Sequence, residues 1–128
     1  MNDPQTALQL IYRANIFVVN PARPALQMGR GDGNDIVVVS LFASRVHARV
    51  KLRGGQFVLV DLSSNGTFVL ADAPTGAEPE AASGAEPNEV RLRQEERVLC
   101  GRGWLGLGRS ATTHGDHSVR YAVQEGIP

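Results

Sequence analysis

The run VHARVKLRGGQFVLV at residues 46–60 carries the clearest structural signal in this chain. Apolar and polar side chains alternate from its start, with Val46 on the apolar face and His47 on the polar one, which is the period of a half-buried strand. The glycine pair at 54–55 can adopt the positive φ angles of a two-residue hairpin turn. Residues 57–60 then resume as a strand that is largely apolar on both faces. The run therefore predicts a β-hairpin.

Short apolar runs separated by turn residues extend in both directions from this hairpin. No long segment shows the 3.6-residue period of an amphipathic helix, and the spacing of the runs is typical of a sandwich. We therefore predict an all-β fold, a two-sheet β-sandwich of about eleven mostly antiparallel strands. The strand candidates are residues 7–12, 16–19, 26–28, 36–39, 46–53, 57–60, 67–70, 90–93, 98–100, 104–107 and 119–123.

Length and composition exclude several classes of protein. The chain has 128 residues, which is the length of one ordinary domain, and its 13 basic and 13 acidic residues give no net charge. A nucleic-acid partner is therefore not expected, since such proteins usually carry a basic excess. No apolar stretch approaches the roughly 20 residues of a membrane span, and residues 1–6 lack the features of a secretory signal. We expect a cytoplasmic protein that does not bind membranes.

One segment, residues 72–88, departs from the strand pattern. It contains alanine, proline, glycine, glutamate and polar residues, but no valine, leucine, isoleucine or aromatic residue. Such a segment has too little apolar surface to offset the entropy lost on ordering. We expect a flexible acidic surface loop inserted into one domain that spans residues 1–128, because the residues after it are too few for an independent core.

A glycine-rich turn at residues 29–33 contains Arg30. Glycines let backbone amides approach an anion, and a guanidinium binds phosphate through two parallel hydrogen bonds. The same residues also suit an ordinary loop between strands. A second glycine motif, at 101–106, fits G-x-G-x-x-G, but strand-like residues follow it where a dinucleotide site needs a helix. Bent strands explain that second motif better.

Two further turns are polar and stand beside predicted strands, at residues 44–47 and 63–67. Hydroxyls, amides and an arginine held at one end of a sandwich would form a rigid polar rim. Turn chemistry alone also explains the second of these turns, since its Asn-Gly pair is a strong turn signal. For His47 we favour a buried structural role in which its ring bonds a neighbouring loop.

Catalytic and metal-binding interpretations have weaker support. Ser44, His47 and Asp61 could suggest a hydrolase triad, but the serine is not in a G-x-S-x-G elbow. The histidines and the aspartate at residues 114–117 could bind a metal, although a polar turn is the simpler interpretation. Cys100, the single cysteine, excludes a disulfide framework within the chain and is interpreted as a small buried hydrophobe. We predict neither a metal site nor a cofactor.

Taken in order, these pieces resemble a forkhead-associated (FHA) domain. The dense match covers residues 29–69, and the ordered set with these spacings is highly specific. The resemblance implies recognition of phosphothreonine in an extended peptide, since FHA domains bind phosphorylated motifs through arginine. The matching segments are Gly29-Arg30, then residues 34–36, 44–48, 55–59 and 61–69.

The resemblance also implies roles for particular residues. Arg30 and Ser44 would bind the phosphate, and Arg45 would add positive charge. Ser64 would supply a second hydroxyl, and Asn65 would hold the peptide backbone. Structural support of the site would come from Gly29, His47, Gly66 and Thr67.

The predicted function is thus a non-catalytic, phosphothreonine-dependent peptide- or protein-binding module, acting in signalling as a regulatory domain of a larger protein. The expected partner is a threonine-phosphorylated protein. One alternative is a phosphate-independent scaffold or oligomerisation domain, for example the regulatory module of a nucleotide cyclase. Another is a small hydrolase that uses Ser44 and His47. The sequence leaves the oligomeric state open.

Overall fold

The structure is a computed structural model that describes residues 6–72, 89–111 and 117–124. The predicted loop at 72–88 lies outside the described residues except for Asp72, as do residues 114–116 of the suggested metal motif. Within the described ranges, no group of histidine, cysteine and acidic side chains could bind a metal ion. No helix there is long and apolar enough to cross a membrane.

The described residues form eleven strands in two sheets, which confirms the predicted β-sandwich. One sheet has six strands in the order β2-β1-β11-β10-β7-β8, and the other has five in the order β4-β3-β5-β6-β9. All paired strands are antiparallel except β3 and β4, which are parallel. The strands are β1 Ala7–Tyr12, β2 Asn15–Val19, β3 Ala25–Gly29, β4 Ile36–Val37, β5 Ala48–Arg53, β6 Gln56–Asp61, β7 Thr67–Ala71, β8 Glu89–Leu92, β9 Glu96–Leu99, β10 Arg102–Leu107 and β11 Ser118–Gln124.

The predicted hairpin is formed by β5 and β6. Arg53 pairs with Gln56 across the turn, so the loop has two residues. These are Gly54 and Gly55, with φ angles of 60° and 81°. Positive φ at both central positions is the geometry of a type I′ turn, whose twist matches that of the flanking strands. The glycine pair therefore sets the register of the hairpin.

The alternation predicted for residues 46–53 is wrong at its start. Strand β5 begins at Ala48, while Val46 is 41% exposed and His47 is fully buried, which reverses the orientation given by the alternation but agrees with the buried role favoured for His47. Both residues belong to the preceding loop, where the His47 backbone N–H donates to the carbonyl oxygen of Met28. The loop turns the imidazole inward before the strand period begins at Ala48.

The inward faces of both sheets share one hydrophobic core. Each fully buried large apolar side chain contributes about 1.5–3 kcal/mol relative to an exposed one, so this core is the main source of stability. Cys100, predicted to be buried, is instead exposed, because β9 ends one residue earlier at Leu99. Prominent core residues are Leu8, Leu10, Leu26, Met28, Phe57, Leu59, Leu105 and Tyr121.

Loops from the two sheets meet at one end of the sandwich. The backbone N–H of Leu62, after β6, donates to the carbonyl oxygen of His47 in the loop of residues 38–47 between β4 and β5. The N–H of Gly108, after β10, donates to the carbonyl oxygen of Gly66 between β6 and β7. These bonds fix the loops against one another, so the polar side chains they carry have defined positions.

Candidate functional site

The turn after β3 is fastened to the β4–β5 loop by its backbone. The Arg30 N–H donates to the Ser44 carbonyl oxygen at 2.9 Å, and the Gly31 N–H donates to that of Arg45 at 3.0 Å. Gly29 lies so close to this loop that a Cβ at its position would collide with the Arg45 carbonyl group. A glycine is therefore required at position 29, where the two loops approach.

Asn34 reinforces the same contact from inside the turn. Its buried side-chain amide donates to the carbonyl oxygen of Gly31 at 2.7 Å and to that of Arg45 at 2.6 Å. Sequence reasoning did not assign Asn34 to the site. The sequence did carry a signal for it: an asparagine in the turn directly before a β-branched strand. Asparagine side chains commonly bond the backbone of turns, so this one could have been expected to do so.

The Arg30 side chain is held at its base and open at its tip. Its Nε donates to the Ala43 carbonyl oxygen at 3.0 Å, while the two terminal nitrogens make no hydrogen bond or ion pair with any described residue. The residue is exposed. A guanidinium fixed in this way presents its terminal N–H groups to solvent, ready to donate to an anion.

Ser44 joins Arg30 to the β6–β7 turn of residues 62–66. Its half-buried hydroxyl oxygen accepts the backbone N–H of Ser64 at 3.2 Å. The hydroxyl hydrogen remains free to donate outward, since a hydroxyl carries one donor and two acceptor lone pairs. Ser64 is exposed beside it, so two serines stand together on adjoining loops.

His47 lies directly behind these residues. Its Nδ1 accepts the Ser44 backbone N–H at 2.9 Å, and its Nε2 lies 2.9 Å from the Gly66 carbonyl oxygen. Because Nδ1 must accept and Nε2 must donate, the ring is the neutral tautomer with its proton on Nε2. Burial lowers the pKa of His47 from its ordinary value, although the bond to Gly66 and the charge of Asp61 partly oppose this shift.

The hydrolase triad suggested by Ser44, His47 and Asp61 does not form. Both ring nitrogens of His47 bond backbone groups, so neither contacts the Ser44 hydroxyl oxygen. The Asp61 carboxylate bonds other partners and does not hold the imidazole by a hydrogen bond. The arrangement fixes loops and provides no activated nucleophile.

Asp61 anchors the β6–β7 turn from the interior. Its Oδ1 accepts the hydroxyls of Ser63 and Thr67, each at 2.6 Å, and its Oδ2 accepts the Gln94 backbone N–H at 2.7 Å. Burial alone would raise the pKa of Asp61, but these hydrogen bonds outweigh it and hold the pKa below its ordinary value. The structure thus places Thr67 beneath the turn.

Gly66 completes the turn with a φ of 97°, a left-handed conformation that favours glycine. Its N–H donates to the Ser63 hydroxyl oxygen at 2.7 Å. The adjacent Asn65 is exposed, and its side-chain amide lies 3.4 Å from the Phe42 carbonyl oxygen. The Asn65 amide is therefore accessible at the rim, where the resemblance implies a peptide contact.

Arg45 stands at the outer edge of the same loop. The residue is exposed, and its guanidinium makes no hydrogen bond or ion pair with any residue that the structure describes. The predicted binding residues are therefore carried by adjoining loops at one end of the sandwich, held from behind by the predicted supporting residues. Two arginines, two hydroxyls and an amide face solvent there, which suits a multiply charged anion.

A rigid β-sandwich that displays such groups on its end loops is a loop-presenting ligand-binding module. The family model described as "FHA domain" matches residues 26–101, more than half of the chain, and the chain belongs to that family. Arg30, Ser44, Arg45, Ser64 and Asn65 all lie inside the matched range. A search of curated protein sequences gave no significant match.

Solved FHA domains share the fold at low sequence identity. The FHA-1 domain of Rv1747 from Mycobacterium tuberculosis is 17% identical, with a TM-score of 0.63 and coverage of 93% of this chain and 97% of that one. The MEK1 FHA domain, in complex with a phosphothreonine peptide of HOP1, is 16% identical, with a TM-score of 0.58 and coverage of 91% and 94%. The FhaA FHA domain, complexed with the intracellular domain of Rv3910, is 22% identical, with a TM-score of 0.55 and coverage of 93% and 99%.

Proposed function

We propose that this FHA domain binds peptides containing phosphothreonine and carries out no catalysis of its own. The observation that carries the proposal is Arg30: its Nε is tied to the Ala43 carbonyl oxygen, its terminal nitrogens bond no described residue, and its backbone N–H donates to the carbonyl oxygen of Ser44. A phosphate dianion accepts several charge-assisted hydrogen bonds at once, and an arginine fork supplies them in parallel.

The other rim groups fit the same ligand. Ser44 and Ser64 would donate their hydroxyls to phosphate oxygens, and Arg45 would add charge from the outer edge. Asn65 would bond the peptide backbone, because a side-chain amide can donate to a carbonyl and accept from an N–H. The MEK1 FHA domain binds a phosphothreonine peptide on a similar fold, which supports this class of ligand.

Buried side chains behind the site hold its loops in place before a ligand binds, which lowers the entropic cost of binding. His47 ties the Ser44 loop to Gly66, and Asp61 ties the β6–β7 turn to Gln94. Groups that are already ordered lose little freedom when a ligand binds, so more of the contact energy appears as affinity. The domain boundary at 1–128, the regulatory role within a larger protein and the cytoplasmic location stay predictions.

A binding experiment tests the proposal directly. A library of threonine-phosphorylated peptides is screened against the domain, and the best sequence is titrated by calorimetry in its phosphorylated and unphosphorylated forms. We expect binding of the phosphorylated form alone. Equal affinity for the two forms would favour the phosphate-independent scaffold and contradict the proposal.

A further inference from the structure

A second recess lies beside the proposed phosphate site, on the far side of the β6–β7 turn. It is a groove of about 330 Å³ between that turn and the end of β8 with the residues that follow it. No carboxylate of the described residues lines the groove, although it contains two guanidinium groups. Its lining residues are Ser63, Ser64, Gly66, Arg91, Arg93 and Gln94.

Arg91 is held rigidly along one wall of the groove. Its Nε and one terminal nitrogen donate to the Asn65 carbonyl oxygen at 3.2 and 2.7 Å, and its guanidinium lies 5.2 Å from the centre of the Phe68 ring. A Cβ at Gly66 would come within 2.8 Å of the Arg91 Nε, so the missing side chain at Gly66 admits the arginine. The arginine is therefore positioned by the same turn that carries Ser64 and Asn65.

Arg93 is the less constrained cation of the pair. Its backbone N–H donates to the Glu95 carboxylate at 3.0 Å, but its guanidinium bonds no described residue. The turn of residues 93–95 between β8 and β9 is firmly placed, because the Gln94 N–H donates to the carboxylate of the buried Asp61. Glu95 is the nearest acid in the sequence, and it does not line the groove. Within the part of the chain that the structure describes, the positive charge in the groove is therefore not matched by a carboxylate of its lining.

Ser64 connects the two sites. Its backbone N–H bonds the Ser44 hydroxyl on the side of Arg30, and the residue also lines the groove of Arg91 and Arg93. A peptide crossing Ser64 and Asn65 would thus pass from one basic recess to the next. One peptide can place two anionic groups in the two recesses only if it runs past both of them. Both recesses adjoin the β6–β7 turn, so a peptide lying across that turn reaches both.

We propose that the groove of Arg91 and Arg93 binds a second anionic side chain of the same phosphopeptide, either a carboxylate or a second phosphate. This inference rests on the proposed phosphothreonine recognition and specifies the class of peptide preferred. Peptides with an acidic or phosphorylated residue near the phosphothreonine are selected over those with neutral neighbours. Arg93 supplies the free cation, and Arg91 forms the fixed wall.

The test uses a phosphothreonine peptide with neutral flanking residues as its reference. Glutamate is placed at each flanking position in turn, and phosphoserine is then placed at the best of these positions. Each peptide is titrated by calorimetry against the wild-type domain, Arg93→Gln and Arg53→Gln. Arg53 is a matched control: it is an exposed arginine beside the β5–β6 turn, at the opposite end of β5 from the site, in a surface pair with Glu96.

We expect one position at which glutamate improves wild-type binding by about threefold and phosphoserine by about tenfold. Arg93→Gln should abolish most of this gain, measured as a ratio to the reference peptide, while Arg53→Gln should retain it. No gain at any position, or a gain that Arg93→Gln retains, would overturn the inference. The reference peptide and its unphosphorylated form test the proposed function separately, and equal binding of those two would defeat both proposals.

Discussion

The buried imidazole of His47 donates its Nε2 hydrogen to the carbonyl oxygen of Gly66 at 2.9 Å, and so joins the β4–β5 loop to the β6–β7 turn. Its other nitrogen accepts the Ser44 N–H, directly behind the serine proposed to bind phosphate. One side chain therefore sets the separation of two loops on which binding residues lie. The consequences for stability, pH dependence and affinity can each be measured.

Replacing His47 by alanine should reduce stability and affinity together. The substitution leaves the Ser44 N–H without its acceptor and removes one of two donors to the Gly66 carbonyl, which keeps the Gly108 N–H, at a cost of about 1–3 kcal/mol in the free energy of unfolding. Urea unfolding measures this cost, with His117→Ala as a control, since His117 is exposed. A variant that unfolds like the wild type but loses phosphopeptide binding would identify His47 as a ligand contact.

The same imidazole should make stability depend on pH. Burial lowers the pKa of His47 in the folded state below its ordinary value of 6.5, so the unfolded chain binds more protons as the pH falls below that value. Stability is therefore fully present above pH 6.5 and decreases as the pH falls from there through the folded-state pKa. Unfolding experiments across this range should show a slope that His47→Gln removes. An unchanged slope in His47→Gln would contradict this origin.

A second pH-dependent loss should come from Asp61. Its hydrogen bonds from Ser63, Thr67 and Gln94 hold its folded-state pKa below the ordinary value of 3.8 against the opposing effect of burial. This contribution is present above pH 3.8 and is lost as the pH falls through the folded-state pKa. Asp61→Asn should flatten the acid limb of the stability curve, and should cost about 1.5–3 kcal/mol at neutral pH because its bonds are charge-assisted. Circular dichroism during acid titration follows the change.

Two glycines with positive φ offer a matched comparison of backbone strain and crowding. Gly66 has a φ of 97° and Arg91 beside it, whereas Gly54 has a φ of 60° and no atom within 4 Å of an added Cβ. Alanine at either position incurs roughly 1–2 kcal/mol of left-handed strain, and only at Gly66 must a neighbour also move. We expect Gly66→Ala to lower the free energy of unfolding by at least about 1 kcal/mol more than Gly54→Ala. Equal losses in urea unfolding would contradict this difference and show that Arg91 and the Leu92 carbonyl oxygen accommodate the methyl group without cost.

The fold was largely predictable because its signals are local. The turn at Gly54-Gly55 and the short apolar runs are read from neighbouring residues, and each of the eleven predicted runs overlaps a strand of the structure. A buried role for His47 was predicted, but its partner Gly66, 19 residues away, was not identified, because no local pattern reports that pairing. The groove of Arg91 and Arg93 was also missed. Arg91 reaches Asn65 across 26 residues, and no sequence pattern reports such a pairing.

Arg30 provides the test that decides the function. A charge-assisted hydrogen bond contributes about 1.5–3 kcal/mol, and each 1.4 kcal/mol is about tenfold in affinity. Arg30→Ala should therefore weaken a phosphothreonine peptide by at least about tenfold, whereas Arg53→Ala should bind it like the wild type. Ser44→Ala should cost less than Arg30→Ala, because a hydroxyl adds no charge of its own.

Two ligand controls complete that test. Wild-type affinity should fall as salt is raised, because added ions screen the attraction between the exposed arginines and the phosphate. The screening length is about 10 Å at 0.1 M ionic strength and shortens as salt is added. Phosphoserine should bind more weakly than phosphothreonine if the threonine methyl group fills a small apolar niche, as the family resemblance implies. One calorimetry series measures all of these affinities, and unfolding of each variant checks that it is native. If folded Arg30→Ala binds as tightly as the wild type, the ligand is not a phosphate held by this arginine, and the proposed function is wrong.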